Sequence, residues 1–129
     1  MEAKAKLWSS KPEPHDYPAA EDYLSLIMSP EEARASVKLI KKGPIVQRKA
    51  KDILRASRLT RLDDTNHHVR GDLEKIKAGE RLSPVLLVRG DLRRDRPLIV
   101  ADGFHRICAS WLTDEDADVP CQIGDLVGR

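Results

Sequence analysis

Aromatic side chains are scarce in this chain of 129 residues, which contains one Phe, two Tyr and two Trp. This scarcity argues against a platform for single-stranded nucleic acid, because such platforms stack successive bases on several exposed aromatic rings. Cysteine is equally scarce, and the two present, Cys108 and Cys121, stand in apolar surroundings. We therefore expect reduced, buried thiols and no disulfide framework.

Long apolar segments are missing as well. No run approaches the roughly 20 residues that a membrane-spanning helix needs. The chain begins Met-Glu-Ala-Lys-Ala-Lys, without the apolar segment of a signal peptide. These absences predict a cytoplasmic protein with no membrane partner, and the length is that of one ordinary domain.

Charge is unevenly distributed along the chain, although the net charge is only +2. Residues 33–62 contain ten Lys or Arg against one Asp, whereas the remainder contains thirteen against twenty acidic residues. A basic segment on an acidic chain indicates a polyanionic partner such as DNA. The alternative is a solvated face whose charge the acidic remainder neutralises.

Four cations of this segment are the candidates for nucleic-acid binding. Arg48, Lys51, Arg55 and Arg58 would share one face if the whole stretch were helical. Periodicity leaves that reading open beside a second one, in which residues 45–49 form a strand and residues 52–58 a short helix.

The first part of the chain contains one strong helix signal. Residues 29–32, Ser-Pro-Glu-Glu, combine an N-cap Ser, a Pro at the first helical position and a Glu that can close a capping box. An apolar stripe at helical spacing follows, and Gly43 suits the helix end through its access to positive φ. A shorter helix is expected over residues 19–28, after a proline-rich and poorly ordered lead over residues 1–18.

The second part alternates helices with apolar strands. After a polar loop over residues 61–70, a short helix over residues 72–78 is expected to end at Gly79. Two continuous apolar runs, residues 85–88 and 98–101, predict strands covered on both faces. A helix over residues 104–112 and a last strand over residues 119–123 are expected to follow.

The junction between the second of these strands and its helix is the most informative stretch. Asp102-Gly103-Phe104-His105-Arg106 places a glycine turn before a helix that opens with His-Arg. A helix N-terminus presents free N–H groups that suit a phosphate, and Arg106 can add a bidentate contact. His105 can donate a hydrogen bond, and Gly103 leaves room for a ligand to approach the backbone.

Asp102 has two readings at this turn: an N-cap, or a ligand of a Mg²⁺ ion that bridges phosphates. In the purely structural alternative Asp102 only caps the helix and Arg106 forms a surface ion pair, with the acidic loop over residues 114–118 as one candidate partner. Asp102 and His105 are the candidates for catalytic groups. His67 and His68 are adjacent, so their side chains are expected to diverge and not to share a metal.

These residues resemble the signature of the ParB/sulfiredoxin superfamily. The order Asp102-Gly103-Phe104-His105-Arg106, the helix ending at Gly79 before Leu-Ser-Pro-Val-Leu-Leu-Val, and the Val-Pro-Cys of residues 119–121 all follow its pattern. The resemblance covers roughly residues 45–123. It implies an α/β fold in which a small mixed sheet is flanked by helices, here as a domain over residues 44–129. Residues 1–43 would be an extension, partly disordered and then helical.

The resemblance also implies a nucleotide site. Its members bind CTP, ATP or ADP, with hydrolysis or phosphotransfer as the reaction, and some are nucleases. Carried over to this chain, Gly103, Phe104, His105 and Arg106 would bind the nucleotide together with Mg²⁺, and Asn66 or His68 would lie nearby. Phe104 stands where sulfiredoxins have their catalytic Cys and where ParB proteins have a Glu. Sulfinic acid reduction is therefore not expected, and any CTP hydrolysis would need a route other than that of ParB. The alternatives are a nucleic-acid-binding or nuclease module, and an inert domain that binds a partner protein.

Overall fold

The computed structural model describes residues 8–125 of the chain. Its helices are α1 (Asp16–Leu24), α2 (Pro30–Lys42), α3 (Ala50–Ser57), α4 (His67–Ala78) and α5 (Phe104–Thr113). Its strands are β1 (Ile45–Lys49), β2 (Val85–Val88), β3 (Ile99–Asp102) and β4 (Asp118–Gly124), and a 3₁₀ helix covers Leu92–Arg94. No helix in this part of the chain is long and apolar enough to cross a membrane.

The strands form one mixed sheet in the order β1-β4-β2-β3. Strand β4 is antiparallel to β1 and parallel to β2, and β2 is antiparallel to β3. All four residues of β2 are buried, as a continuous apolar run inside a sheet predicts. The expectation of a small mixed sheet flanked by helices is therefore confirmed.

The sheet separates two apolar clusters. Helices α1 and α2 cover one face, where Leu24 and Ile40 pack with Leu86 and Val88. Helices α3, α4 and α5 cover the other, where Leu87 lies in the second cluster. The adjacent residues Leu86 and Leu87 thus belong to different clusters, because successive strand residues point to opposite faces of a sheet.

Helix α2 begins as the sequence predicts. The Ser29 side chain accepts a hydrogen bond from the Glu32 N–H at 3.1 Å, and the Glu32 carboxylate accepts one from the Ser29 N–H at 3.2 Å. Its end differs from the prediction, because Gly43 has a φ of −75°. The glycine is needed there for space: a Cβ would lie 2.9 Å from the Ile123 carbonyl oxygen.

Two helix starts differ from the predicted ones. Helix α4 begins at His67 and not at residue 72, because the Asn66 side chain accepts hydrogen bonds from two amides of the first turn. Helix α1 begins at Asp16 and ends at Leu24, so Ile27 lies beyond it and is half-exposed. The separate strand β1 and helix α3 decide the open question over residues 45–58.

The segment before α1 contacts the rest of the fold. Trp8 pairs with Leu82 in an isolated parallel bridge, and the Ser9 N–H donates to the Leu82 carbonyl at 2.7 Å. Within the predicted poorly ordered lead, Trp8 and Ser9 therefore have defined partners and residues 16–18 belong to α1, while residues 1–7 lie outside the described residues. This segment runs from the start of β2 to the start of α1.

Candidate functional site

The turn between β3 and α5 depends on Gly103. This residue is the N-cap of α5 with a φ of +102°, in the left-handed region that favours glycine. A Cβ here would lie 2.6 Å from the Val85 Cγ1. The α5 N-cap has no side-chain hydrogen bond, so the reading of Asp102 as the cap is wrong. Gly103 is required by the turn itself, whatever approaches it.

Arg106 lies between two carboxylates instead of reaching into solvent. Its Nη2 donates to Asp102 Oδ2 at 2.9 Å, and its Nη1 lies 3.8 Å from the Oδ1 of Asp16 on α1. The side chains of Arg106 and Asp16 are only 16% and 2% exposed. The readings of Arg106 as a surface ion pair, or as an anchor for residues 114–118, are therefore wrong.

Arg106, Asp102 and Asp16 form a triad in which one cationic side chain faces two acidic ones. Burial raises the pKa of Asp102, and the nearby Asp16 raises it further, while Arg106 acts in the opposite direction. The Arg106 Nε is buried and has no hydrogen-bond partner among the described residues. One guanidinium thus faces two carboxylates, and it is already engaged before any ligand arrives.

Two imidazoles meet beside the triad. The rings of His68, on the first turn of α4, and His105, on the first turn of α5, have centroids 4.7 Å apart. The rings of His67 and His68 are 3.9 Å apart, so these side chains do not diverge as expected. Burial lowers the pKa of His105, and so does His68, whereas Asp72 raises it. Burial and the nearby His68 therefore both favour a neutral imidazole at His105.

A small open cavity of about 160 Å³ brings these groups together. It is lined by His68, Asp72, Asp102, Gly103, His105 and Arg106. The first-turn amides of α5 precede the first intrahelical donor, Ile107, and so lack a partner within the helix. The cavity can therefore offer N–H donors from the backbone and from two imidazoles.

The structure joins some predicted site residues and separates others. Asp102, Gly103, His105 and Arg106 line the cavity with His68, whereas Phe104 packs against the core and Asn66 serves as a helix cap. Asp72 was missed as a site residue, and burial raises its pKa. The four-residue spacing of His68 and Asp72 on one helix was the available signal.

Asp102 fits poorly as the anchor of a resident Mg²⁺ ion. One of its carboxylate oxygens is bonded to Arg106, whose positive charge would oppose a cation at the same place. Among residues 8–125 no group of three or more His, Cys, Asp or Glu side chains is placed to bind a metal ion.

The thiols take no part in this site. Cys108 and Cys121 are free and buried, as predicted. Burial raises the pKa of Cys108, and it raises that of Cys121 to about 12. Both thiols are therefore protonated and unreactive at neutral pH.

The four candidate cations for nucleic acid do not share a helix face. Arg48 is on β1, Lys51 and Arg55 are on α3, and Arg58 follows α3 with a φ of +59°. Lys51 lies 2.6 Å from Asp116, Arg58 lies 2.8 Å from Asp95, and Arg55 lies 3.8 Å from Asp52. These ion pairs favour the solvated-face reading for three of the four.

Comparison of the chain with protein-family models, curated proteins and solved structures finds no match in any of the three. The resemblance to the ParB/sulfiredoxin superfamily therefore depends on the motifs of this chain alone.

Proposed function

We propose that the cavity at residues 103–106 binds the phosphate groups of a nucleotide such as CTP, ATP or ADP. The observation that carries this proposal is the convergence of His68, His105 and the free amides at the α5 N-terminus on one open cavity. These N–H donors suit phosphate oxygens, and the partial positive charge of the helix end adds to them.

Arg106 has a supporting part in this proposal. Because Asp102 and Asp16 already engage its guanidinium, we assign direct phosphate contacts to the imidazoles and the amides. Arg106 offsets the two carboxylates, which would otherwise repel an anion. Because Asp102 accepts a hydrogen bond from Arg106, it is a poor catalytic base. His105, with its lowered pKa, is the better candidate for a general base in hydrolysis or phosphotransfer.

Calorimetric titration with CTP, ATP and ADP, each with and without Mg²⁺, tests the proposal. His105→Gln should weaken binding of the preferred nucleotide by about tenfold or more, since a charge-assisted hydrogen bond contributes roughly 1.5–3 kcal/mol. Thr60→Gln is the control, because Thr60 is exposed and lies outside the cavity. Equal affinity of both variants, or no binding to the wild type at millimolar nucleotide, would disprove the proposal.

A second candidate function is binding of a nucleic-acid backbone, which one surface of α2 supports. Arg34, Lys38 and Lys42 follow one another at four-residue intervals, are exposed, and form no ion pair with another described residue. Successive cations are thus separated by a rise of about 6 Å along the helix. These three regularly spaced cations fit a row of phosphates better than Lys51, Arg55 and Arg58, which are engaged in ion pairs.

Duplex DNA binding over a range of salt concentrations tests this second function. Arg34→Gln combined with Lys38→Gln should weaken binding and reduce the magnitude of the salt slope by about 2, because each lost phosphate contact contributes about 0.9. Lys51→Gln combined with Arg58→Gln is the matched control, since both cations have internal partners. Equal effects of the two pairs, or no binding at low salt, would count against an α2 interface.

A further inference from the structure

A second and larger cavity lies at the other end of helices α4 and α5. Its volume is about 580 Å³, within the range of about 300–1,000 Å³ that is common for small-molecule sites. Trp8 and Ser10 form one wall, Gln47 and Pro120 of β1 and β4 form another, and Ser110 contributes from α5. We refer to this cavity as the cleft.

The cleft and the phosphate cavity share the same two helices. Along α4, His68 and Asp72 line the phosphate cavity and Ile76 lines the cleft. Along α5, Arg106 lines the first, and Ser110 and Thr113 line the second. Spacings of three and four residues keep each series on one side of its helix. Arg106 and Thr113 are separated by a rise of about 10 Å along the axis.

The segment before α1 lines the cleft and leads to a residue beside the phosphate cavity. Trp8 lines the cleft, and Asp16, eight positions later, contacts Arg106 beside the phosphate cavity. Both cavities therefore have walls from α4 and α5, and the segment that lines the cleft leads into the helix whose first residue contacts Arg106. The phosphate cavity alone, at about 160 Å³, is too small for a whole nucleotide.

We propose that the cleft binds the nucleoside part of the ligand whose phosphates occupy the turn at residues 103–106. This inference rests on the proposed phosphate site. The chemistry of the cleft suits a base and a ribose: Trp8 offers a flat aromatic face, and Ser10, Thr113 and Gln47 offer hydroxyl and amide groups.

The hydrogen-bond donors of the two cavities agree with this division of the ligand. Asp114, Asp118 and Arg81 give the cleft the same balance of two carboxylates and one cation as the phosphate cavity, but its lining residues include no imidazole and no helix N-terminus to donate to phosphates. A carboxylate can accept hydrogen bonds from ribose hydroxyls, as the acidic residue of dinucleotide-binding folds does. The uncharged end of the nucleotide thus fits the cleft, and the anionic end fits the α5 N-terminus.

Fluorescence of Trp8 tests the cleft without any phosphate. In Trp111→Phe, Trp8 is the sole tryptophan, and far-UV circular dichroism verifies the fold. Adenosine, cytidine, guanosine and uridine are each titrated separately, and inorganic triphosphate is titrated as the phosphate probe. We expect one nucleoside to change Trp8 emission saturably, and triphosphate to bind with little change in that emission.

Blocking the cleft gives a second measurement that does not depend on fluorescence. Thr113→Tyr places a bulky side chain in the cleft from an exposed position, and Thr60→Tyr, also exposed but outside the cleft, is its control. We expect Thr113→Tyr to weaken nucleotide binding in calorimetry by about tenfold or more while affinity for inorganic triphosphate stays unchanged.

The outcomes separate the two proposals. If triphosphate binds, no nucleoside affects Trp8 and the two Tyr variants bind nucleotide equally, the cleft proposal is overturned and the phosphate site stands. If a nucleoside binds in the cleft and added phosphates bring no affinity, the cleft is a nucleoside site, but the phosphate proposal is overturned and with it the proposal that one nucleotide spans both cavities. If neither probe binds, both proposals are overturned.

Discussion

Two constraints require glycine at position 103: its φ is +102°, and Val85 leaves no room for a Cβ. Gly103→Ala should lower the free energy of unfolding by about 2–4 kcal/mol, from left-handed backbone strain and overpacking against Val85. Urea denaturation measures the change. Gly71→Ala is the matched control, because Gly71 is inside α4 with no atom near its missing Cβ; it should stabilise by about 0.5–1 kcal/mol. Equal losses in both variants would contradict this account.

His105 makes stability depend on pH, with a sign that its surroundings determine. Its pKa in the folded protein lies below the usual 6.5, so the folded state disfavours the proton relative to the unfolded chain. The corresponding stability is present above pH 6.5 and is lost as the pH falls toward the folded pKa. His105→Gln should therefore lose less unfolding free energy than the wild type between neutral pH and about pH 5.

The same residue can be followed directly by NMR titration of its ring protons. His68→Gln should raise the pKa of His105, because His68 lowers it, and Asp72→Asn should lower it, because Asp72 raises it. Shifts in the same direction for both variants would show that these two neighbours do not act through their charges.

At the scale of elements, α1 packs onto the sheet through Leu24, which is fully buried. Leu24→Ala should cost about 2–5 kcal/mol of unfolding free energy, from lost burial and the cavity left behind. Leu26→Ala, two positions later, changes a side chain that is 80% exposed and should alter stability by no more than about 0.5 kcal/mol. A similar small effect for both would mean that α1 is only loosely attached in solution.

At the scale of the whole molecule, the sheet carries an apolar cluster on each face, and α1 and α2 form one of these layers. A fragment of residues 44–129 would expose Leu86 and Val88 to water. We expect the full chain to unfold in a single cooperative urea transition, followed by far-UV circular dichroism and fluorescence, and the fragment to lack that transition and to bind a hydrophobic dye. Removal of residues 1–7 alone, which keeps every described helix and strand, is the control. Cooperative unfolding of the fragment would instead support a domain boundary at residue 43.

The candidate site was only partly readable from the sequence. The turn at Asp102 and Gly103 has a local signature, a strand followed by glycine and a helix, so its position was predictable. The partner of Arg106 was not, because Asp16 is distant in sequence and approaches only when α1 packs beside β3. His68 and Asp72 likewise reach His105 through the packing of α4 against α5.

By itself, the sequence determined those features that depend on neighbours within about four positions. The capping box of α2 and the buried strand Val85–Val88 are of this kind, since their hydrogen bonds and apolar pattern are written in adjacent residues. Tertiary structure alone decided the strand order β1-β4-β2-β3, the division of the core into two layers and the burial of Arg106 between two carboxylates. These features depend on which surfaces, distant in sequence, pack together and exclude water. They are therefore decided only when the whole chain is folded.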